Sequence, residues 1–374
     1  MTKLIPIICS AMILAWLSEN TSRHCLNEDG RLVYVNKDKL FYFILAASMA
    51  VFVGLRTRGN DTYTYRLMYE NVGSGLDYIV NIDWGNISAA PGLQCYCMIL
   101  KTLGATTQDY FMLTALITVG IYLWFIRKYT CNIFLSVFYF ITMGAYTFTM
   151  AAIKQTLAVA FLLLATDNAI QGKWIKYLFW VAFAELFHPY AFIYLVVPFV
   201  TFAPWSKGTR FLLAGSVIVA LFMSRFLGTI DSVTGALGYN YDANEFTGTG
   251  VNIFRVLVVW VPLVLSFLQR EELRRSKDRT MNIIVNLMMV NSVIMFIGLF
   301  GTANYFARLA NYFLIFQTIA LPWILRLFNN RDQKMLAGMS MVGFAAYNYY
   351  GEVLANGRFD LNYNFITVLE YIRR

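Results

Sequence analysis

The sequence predicts an all-α, polytopic integral membrane protein of about twelve transmembrane helices, on three observations. Apolar residues fill 59% of the 374 positions, charged ones only 14%, and mean hydropathy is +0.56. A soluble surface of this size needs far more charge, so lipid is the expected solvent. The apolar runs lack the alternating period of barrel strands, which leaves helices to satisfy the backbone in hydrocarbon. Basic residues, finally, gather in a few short linkers between those runs, as the positive-inside bias requires.

The first run, 4–17, is followed by charged residues and not by a small-residue cleavage site, so it reads as a retained span. Span 40–55 stops at Arg56, and 110–126 closes on Arg127-Lys128. Spans 132–149 and 156–169 flank Lys154-Gln155, while 177–187 and 191–203 flank His188-Pro189-Tyr190. The runs 211–227 and 253–268 enclose a long loop, 281–300 follows a basic linker, 312–325 follows Arg308, and 335–350 is the last. Several are shorter than the ~20 residues that cross ~30 Å of hydrocarbon, so they must thin the bilayer, extend into flanking residues, or be broken helices. Segment 91–105, interrupted by Lys101 and bounded by Gly92 and Gly104, reads as one short re-entrant or interfacial helix. Were it to cross, Arg56 and Lys154 would lie on opposite sides. No internal repeat is visible, so 1–374 is expected to form a single multi-span domain, with outer loops 54–90 and 228–252 covering the active site.

A net charge of +9 would suggest nucleic acid in a soluble protein; here it sorts by linker, and no nucleic-acid partner is expected. Linkers 18–39, 127–131, 172–176, 204–210, 269–280 and 326–334, placed inside, hold 18 of the 30 Lys and Arg residues. Segments 54–90, 150–154, 188–190, 228–252, 301–311 and the tail after 351 then face outward.

Four cations stand against that bias at outer boundaries: Arg56, Arg58, Lys154 and Arg308. Deeper placement of a cation costs roughly 2.5–3.5 kcal/mol, so something must compensate. A polyanionic lipid headgroup suits the planar fork of Arg and the compact charge of Lys; snorkelling to ordinary lipid phosphates is the bland alternative. Asp61 follows Arg58 across a Gly59-Asn60 turn, where it pairs with an arginine, holds one in place, or accepts a sugar hydroxyl. Glu185 and His188 stand three apart on one helical face, with His188 a general base, a donor to developing charge, or a structural histidine. Two histidines, and no C-x-x-C pair among Cys9, Cys25, Cys95, Cys97 and Cys131, lead to the expectation of no metal site and no cofactor. Gln155, Tyr63, Tyr65, Tyr312 and Tyr241 are the candidate substrate-binding residues, the tyrosines to stack on sugar rings or grip hydroxyls. Loop 228–252 reads equally as a lid or a plain connector by its glycine content and length.

At these residues the sequence resembles the EpsG-like, Wzy-type polysaccharide polymerases. Gly54-Leu55-Arg56 running through Gly59, Asp61 and Tyr65 is similar to the family's G-L-R…G-x-D…Y; Lys154-Gln155 with Ala158 resembles its R-Q-x-x-A. Leu186-Phe187-His188-Pro189 resembles its F-H segment, and Arg308 with Asn311-Tyr312-Phe313 its late R…Y-F. The likeness runs from about Phe41 to Leu325, and the order of the four matches is more specific than any one. Two departures stand out: Lys154 replaces the usual Arg, and Ala90-Pro91-Gly92 stands where many relatives carry Glu-Pro-Gly.

The resemblance implies a GT-C-like helical architecture and a metal-independent glycosyltransferase on the outer face of the bacterial inner membrane. Its partners would be undecaprenyl-pyrophosphate-linked glycan donor and acceptor, membrane lipids, and a chain-length regulator protein. An acceptor hydroxyl would attack the donor's anomeric carbon as the lipid pyrophosphate leaves. Arg56, Arg58, Lys154 and Arg308 would hold the leaving charge, and His188, then Asp61 or Glu185, would take the hydroxyl proton. An O-antigen ligase would share the donor and the basic site, a transporter or flippase of lipid-linked sugars would use the same cations to bind, and a scaffold would leave them unexplained.

Overall fold

The computed structural model describes residues 4–26, 32–75, 90–223, 249–351 and 364–373, which form helices joined by short connections and two small sheets. Although no break in composition marks them, two compact units emerge from the packing: 1–195 with 341–374, and 196–340. Tyr241 and most of loop 228–252 lie outside the described residues, as does much of loop 54–90.

In the first unit, α1 (Leu4–Thr21) leads through a hairpin, β1 (Arg23–Leu26) and β2 (Leu32–Asn36), into α2 (Leu40–Gly54). A short strand β3 (Arg56–Arg58) follows, then α3 (Thr62–Asn71) and α4 (Pro91–Thr102). The long α5 (Thr107–Tyr129) begins at a capping box, in which Thr106 and Asp109 satisfy each other's backbone N–H groups. Next come α6 (Ile133–Thr142), α7 (Ala145–Ala151), α8 (Ile153–Ile170) and α9 (Trp174–Glu185). Helix α5 is the centre of this unit, packed along α2 and α8, with α9 against α8.

The sequence predicts one span over 132–149; the structure bends it by 47° between α6 and α7, where Gly144 adopts φ +85 and ends α6. Over 191–203 it predicts another, and the chain instead forms a 3-10 helix, Pro189–Val200. At ~2.0 Å per residue, twelve residues so wound reach about 24 Å, against about 18 Å as α-helix.

The second unit comprises α10 (Lys207–Leu221), α11 (Ile253–Leu268), α12 (Arg270–Arg275), α13 (Arg279–Ile297), α14 (Ala303–Asn311) and α15 (Leu314–Leu325). Helix α13 is buried on every side, as a helix apolar all round must be. The break between α14 and α15 bends the chain by 55° and frees backbone carbonyls. Asn291 of α13 donates to the Ala310 carbonyl at 2.5 Å beside the Phe313 N–H that the same oxygen accepts, and Gln317 donates to Asn291 at 2.9 Å, so side chains brace the break. Helix α16 (Asn330–Asn348) returns the chain to the first unit, which ends in β4 (Asn364–Phe365) and α17 (Val368–Ile372).

Among the described residues, α1, α5, α8 and α13 are long and apolar enough to cross a membrane, and each bent pair adds one candidate. An all-α membrane protein follows from these. Helices α2 and α11 and the 3-10 segment are apolar but shorter, so length and composition alone do not reach twelve spans.

Linkers assigned to one side meet one another within each unit. In the first, Lys37 donates to the Lys128 and Thr130 carbonyls and Arg127 to the Lys37 and Asp38 carbonyls, while Lys128 pairs with Asp167 beside Gln171. In the second, Arg274 donates to the Trp205 carbonyl, and at another linker pair Val251 donates to Gly298 and Ala303 to Thr249.

Candidate functional site

The G-L-R segment is built where α2 stops against the start of α5. A Cβ on Gly54 would stand 2.8 Å from the Met112 Cα, so only glycine allows this approach. Gln108 then donates to the Gly54 carbonyl at 2.7 Å and to the Arg56 carbonyl at 3.3 Å, fixing the chain as it leaves the helix. Arg56 follows, 1% exposed, its guanidinium donating to the Val53 carbonyl at 2.8 Å and lying 4.9 Å from the centre of the Phe111 ring. A charge so placed keeps its field because little water screens it.

β4 clamps this segment. It pairs antiparallel with β3, Ile366 donates to the Leu55 carbonyl at 3.0 Å, Phe365 stacks on Phe52 and Tyr371 donates to Asp109 at 2.7 Å. Beyond Arg56 the backbone turns through Gly59 at φ +117 and Asn60 at φ +44. Arg58 and Tyr63 are exposed there and, with Asn60, Arg66 and Ile366, line an open hollow of about 800 Å³. Asp61 is exposed at the foot of α3.

Tyr65, one turn into α3, is buried and accepts the Lys154 backbone N–H at 3.2 Å. Lys154 is half-buried and lies in the first turn of α8, not before that helix as the sequence suggests, with Gln155 buried beside it. A cation at a helix N-terminus opposes the helix dipole, and the two together favour an anion. The Lys154 charge acts on Cys97 of α4, a thiol that burial pushes up to about 12 although the neighbouring Tyr110 hydroxyl and Lys154 both lower it. The Tyr110 hydroxyl is also within electrostatic reach of Arg56, Tyr65 and Tyr96, so Arg56, Tyr65 and Lys154 share one neighbourhood. Tyr69 stacks on Tyr110 with ring centres 4.9 Å apart, and burial pushes its hydroxyl up to about 12.

Helix α4 ties the histidine loop to this neighbourhood. The Gly92 N–H donates to the Leu186 carbonyl at 2.7 Å, and a Cβ on Gly92 would stand 2.9 Å from that oxygen. Its other end is held by α3 and the residues after it: Lys101 donates to the Glu70 and Val72 carbonyls at 2.6 Å, and Tyr69 to the Ala105 carbonyl at 2.8 Å. Glu185, at the end of α9, accepts the Phe192 N–H at 3.1 Å, anchoring the 3-10 helix. His188 is half-buried, and its Nδ1 accepts the Tyr190 N–H at 3.4 Å, which puts the proton of the neutral ring on Nε2.

Arg308 is exposed in the last turn of α14, where the dipole favours a cation, and Tyr312 is fully buried just after it; both belong to the second unit. Sequence reasoning missed Gln108, Phe111, Arg66 and Tyr110. Only Gln108, polar at the mouth of an apolar helix, carried a signal. Among the described residues, no three His, Cys, Asp or Glu side chains gather as a metal cage.

A family model described as the EpsG family matches residues 39–365. Neither a curated protein nor a solved structure matches the chain.

Proposed function

Because the chain belongs to the EpsG family, whose membership supports an enzyme of the polysaccharide polymerase or glycosyltransferase type, we propose that it joins lipid-linked oligosaccharide repeats at the outer face of the bacterial inner membrane. The donor is a glycan on undecaprenyl pyrophosphate and the acceptor a single linked repeat. The acceptor hydroxyl oxygen bonds to the donor's anomeric carbon, the bond from that carbon to the pyrophosphate oxygen breaks, and the hydroxyl proton passes to a base.

One observation supports this above the rest. Arg56 and Lys154, from distant stretches of chain, adjoin the start of α5, whereas the basic linkers of the first unit gather at its far end, 23 residues and so about 34 Å away. Cations gathered at that end favour an anionic ligand there. Charge grows on the pyrophosphate as it departs, and fixed cations in a poorly screened setting lower the barrier by holding it more tightly in the transition state. Arg58 and Lys154 are accessible for direct contact, and Arg56 contributes its field from beneath; Arg308 and Tyr312 are assigned on the resemblance alone, as is Tyr241. The Nε2–H of His188 suits a donor to developing charge, leaving Asp61 and Glu185 as carboxylate bases. The reading needs no metal, about twelve spans and a GT-C-like architecture.

The test is polymer length in cells carrying Arg56→Ala, Lys154→Ala, His188→Ala or Arg308→Ala at unchanged expression. Shortened or absent polymer is expected; full-length polymer from all four variants would refute the mechanism, and glycan found on a lipid A core would make the enzyme a ligase.

A further inference from the structure

The open hollow beyond Arg56 has a composition that a diphosphate alone does not explain. Its volume, about 800 Å³, is that of a site for a sizeable organic ligand. Two guanidinium groups, Arg58 and Arg66, face it, and among the described residues no carboxylate lines it. Arg66 is aimed by a 3.3 Å hydrogen bond to the Thr57 carbonyl. Tyr63 leaves 67% of its surface exposed there, a large ring face in water where burial would ordinarily be favourable. Asn60 adds an amide with both donor and acceptor capacity, held at φ +44.

An aromatic face suits the C–H side of a sugar ring, an amide suits its hydroxyls, and a guanidinium fork matches a carboxylate. A lipid diphosphate would use the arginines but leave the ring and the amide idle. We infer that this hollow seats an acidic sugar of the acceptor repeat, its hexuronate carboxylate on Arg66 and its ring on Tyr63, while Arg58 remains with the diphosphate. Ile366 closes one wall, and the segment carrying it is pinned through the Leu55 carbonyl and Asp109. The inference rests on the polymerase reading for the word acceptor, though not for binding.

The test is calorimetric binding to the full-length protein in lipid nanodiscs, with a glucuronate-terminated disaccharide, its neutral glucose counterpart and inorganic pyrophosphate as probes. The acidic disaccharide should bind about tenfold or more tightly than the neutral one, and pyrophosphate should not displace it. Arg66→Ala should erase the preference. Ile366→Trp, which fills the hollow without touching a charge, should weaken the acidic probe to the same degree and guards against misfolding of the arginine variant. Equal binding of both sugars, binding of neither, or displacement by pyrophosphate would overturn the assignment. Acidic-sugar binding without polymerisation would instead count against the polymerase reading alone.

Discussion

Lys154 sits at a position where both its own charge and the first turn of α8 attract an anion, so its contribution should be separable from that of its side-chain shape. Lys154→Ala is expected to lower kcat/KM for a lipid-linked repeat by about 10²–10³, as loss of one preorganised transition-state donor does, while Lys154→Arg retains most activity. Equal losses in both variants would point to packing. For His188, the Nε2–H tautomer set by Tyr190 makes a second contrast. His188→Gln should keep more turnover than His188→Ala if the ring donates a proton in a hydrogen bond, and no more if it abstracts one. At the other end of α5, burial pushes the Lys37 ammonium down to about 8, with Arg127 adding to that and Cys131 and Glu19 opposing it. An unfolded lysine titrates near ~10.4, so between about pH 8 and about 10.4 the unfolded chain binds more protons and stability rises with pH. Thermal midpoints of the wild type should therefore gain on those of Lys37→Met as pH climbs through that window; a constant gap would contradict the burial. Much of this was legible residue by residue: the G-L-R turn, the tyrosine at 65 and the lysine at 154 stand together as their motifs suggest. The burial of Arg56 was not, because only the packing of Phe111 and Val53 around it withdraws its charge from water.

Among the elements, α4 decides which residues share a side. Its first turn bonds to Leu186 and its last to Glu70 and Val72, so its two ends are tied to the histidine loop and to the segment after α3, as an interfacial helix would require. In a background freed of native cysteines, Leu103→Cys and Tyr63→Cys should react with an impermeant maleimide from the same face, and Lys173→Cys only from the other. Labelling of Leu103→Cys together with Lys173→Cys would mean that α4 spans. Gly92→Ala should lower the thermal midpoint, since its Cβ meets a backbone oxygen at 2.9 Å and overpacking of this kind costs about 1–3 kcal/mol. The sequence showed α4 as short, interrupted by Lys101 and flanked by glycines, which led to the expectation of a re-entrant or interfacial helix that the labelling would test. The 3-10 winding of Pro189–Val200 and the clamp of β4 on β3 were invisible, because an apolar run does not state its winding and a two-residue strand has no periodicity.

For the molecule as a whole, hydropathy gave the class, and the division into two packed units came only from contacts. The central claim is that fixed cations near the start of α5 drive transfer of a glycan from a lipid diphosphate. The most direct measurement supplies the purified protein, in nanodiscs, with a synthetic undecaprenyl-pyrophosphate-linked repeat and reads the products by mass spectrometry with and without a chelator. A ladder of lengthened glycans on the carrier, unchanged by chelation and lost in Arg58→Ala and Lys154→Ala, is the expected result. An absent ladder from the wild type, or one that persists in both variants, would contradict the account.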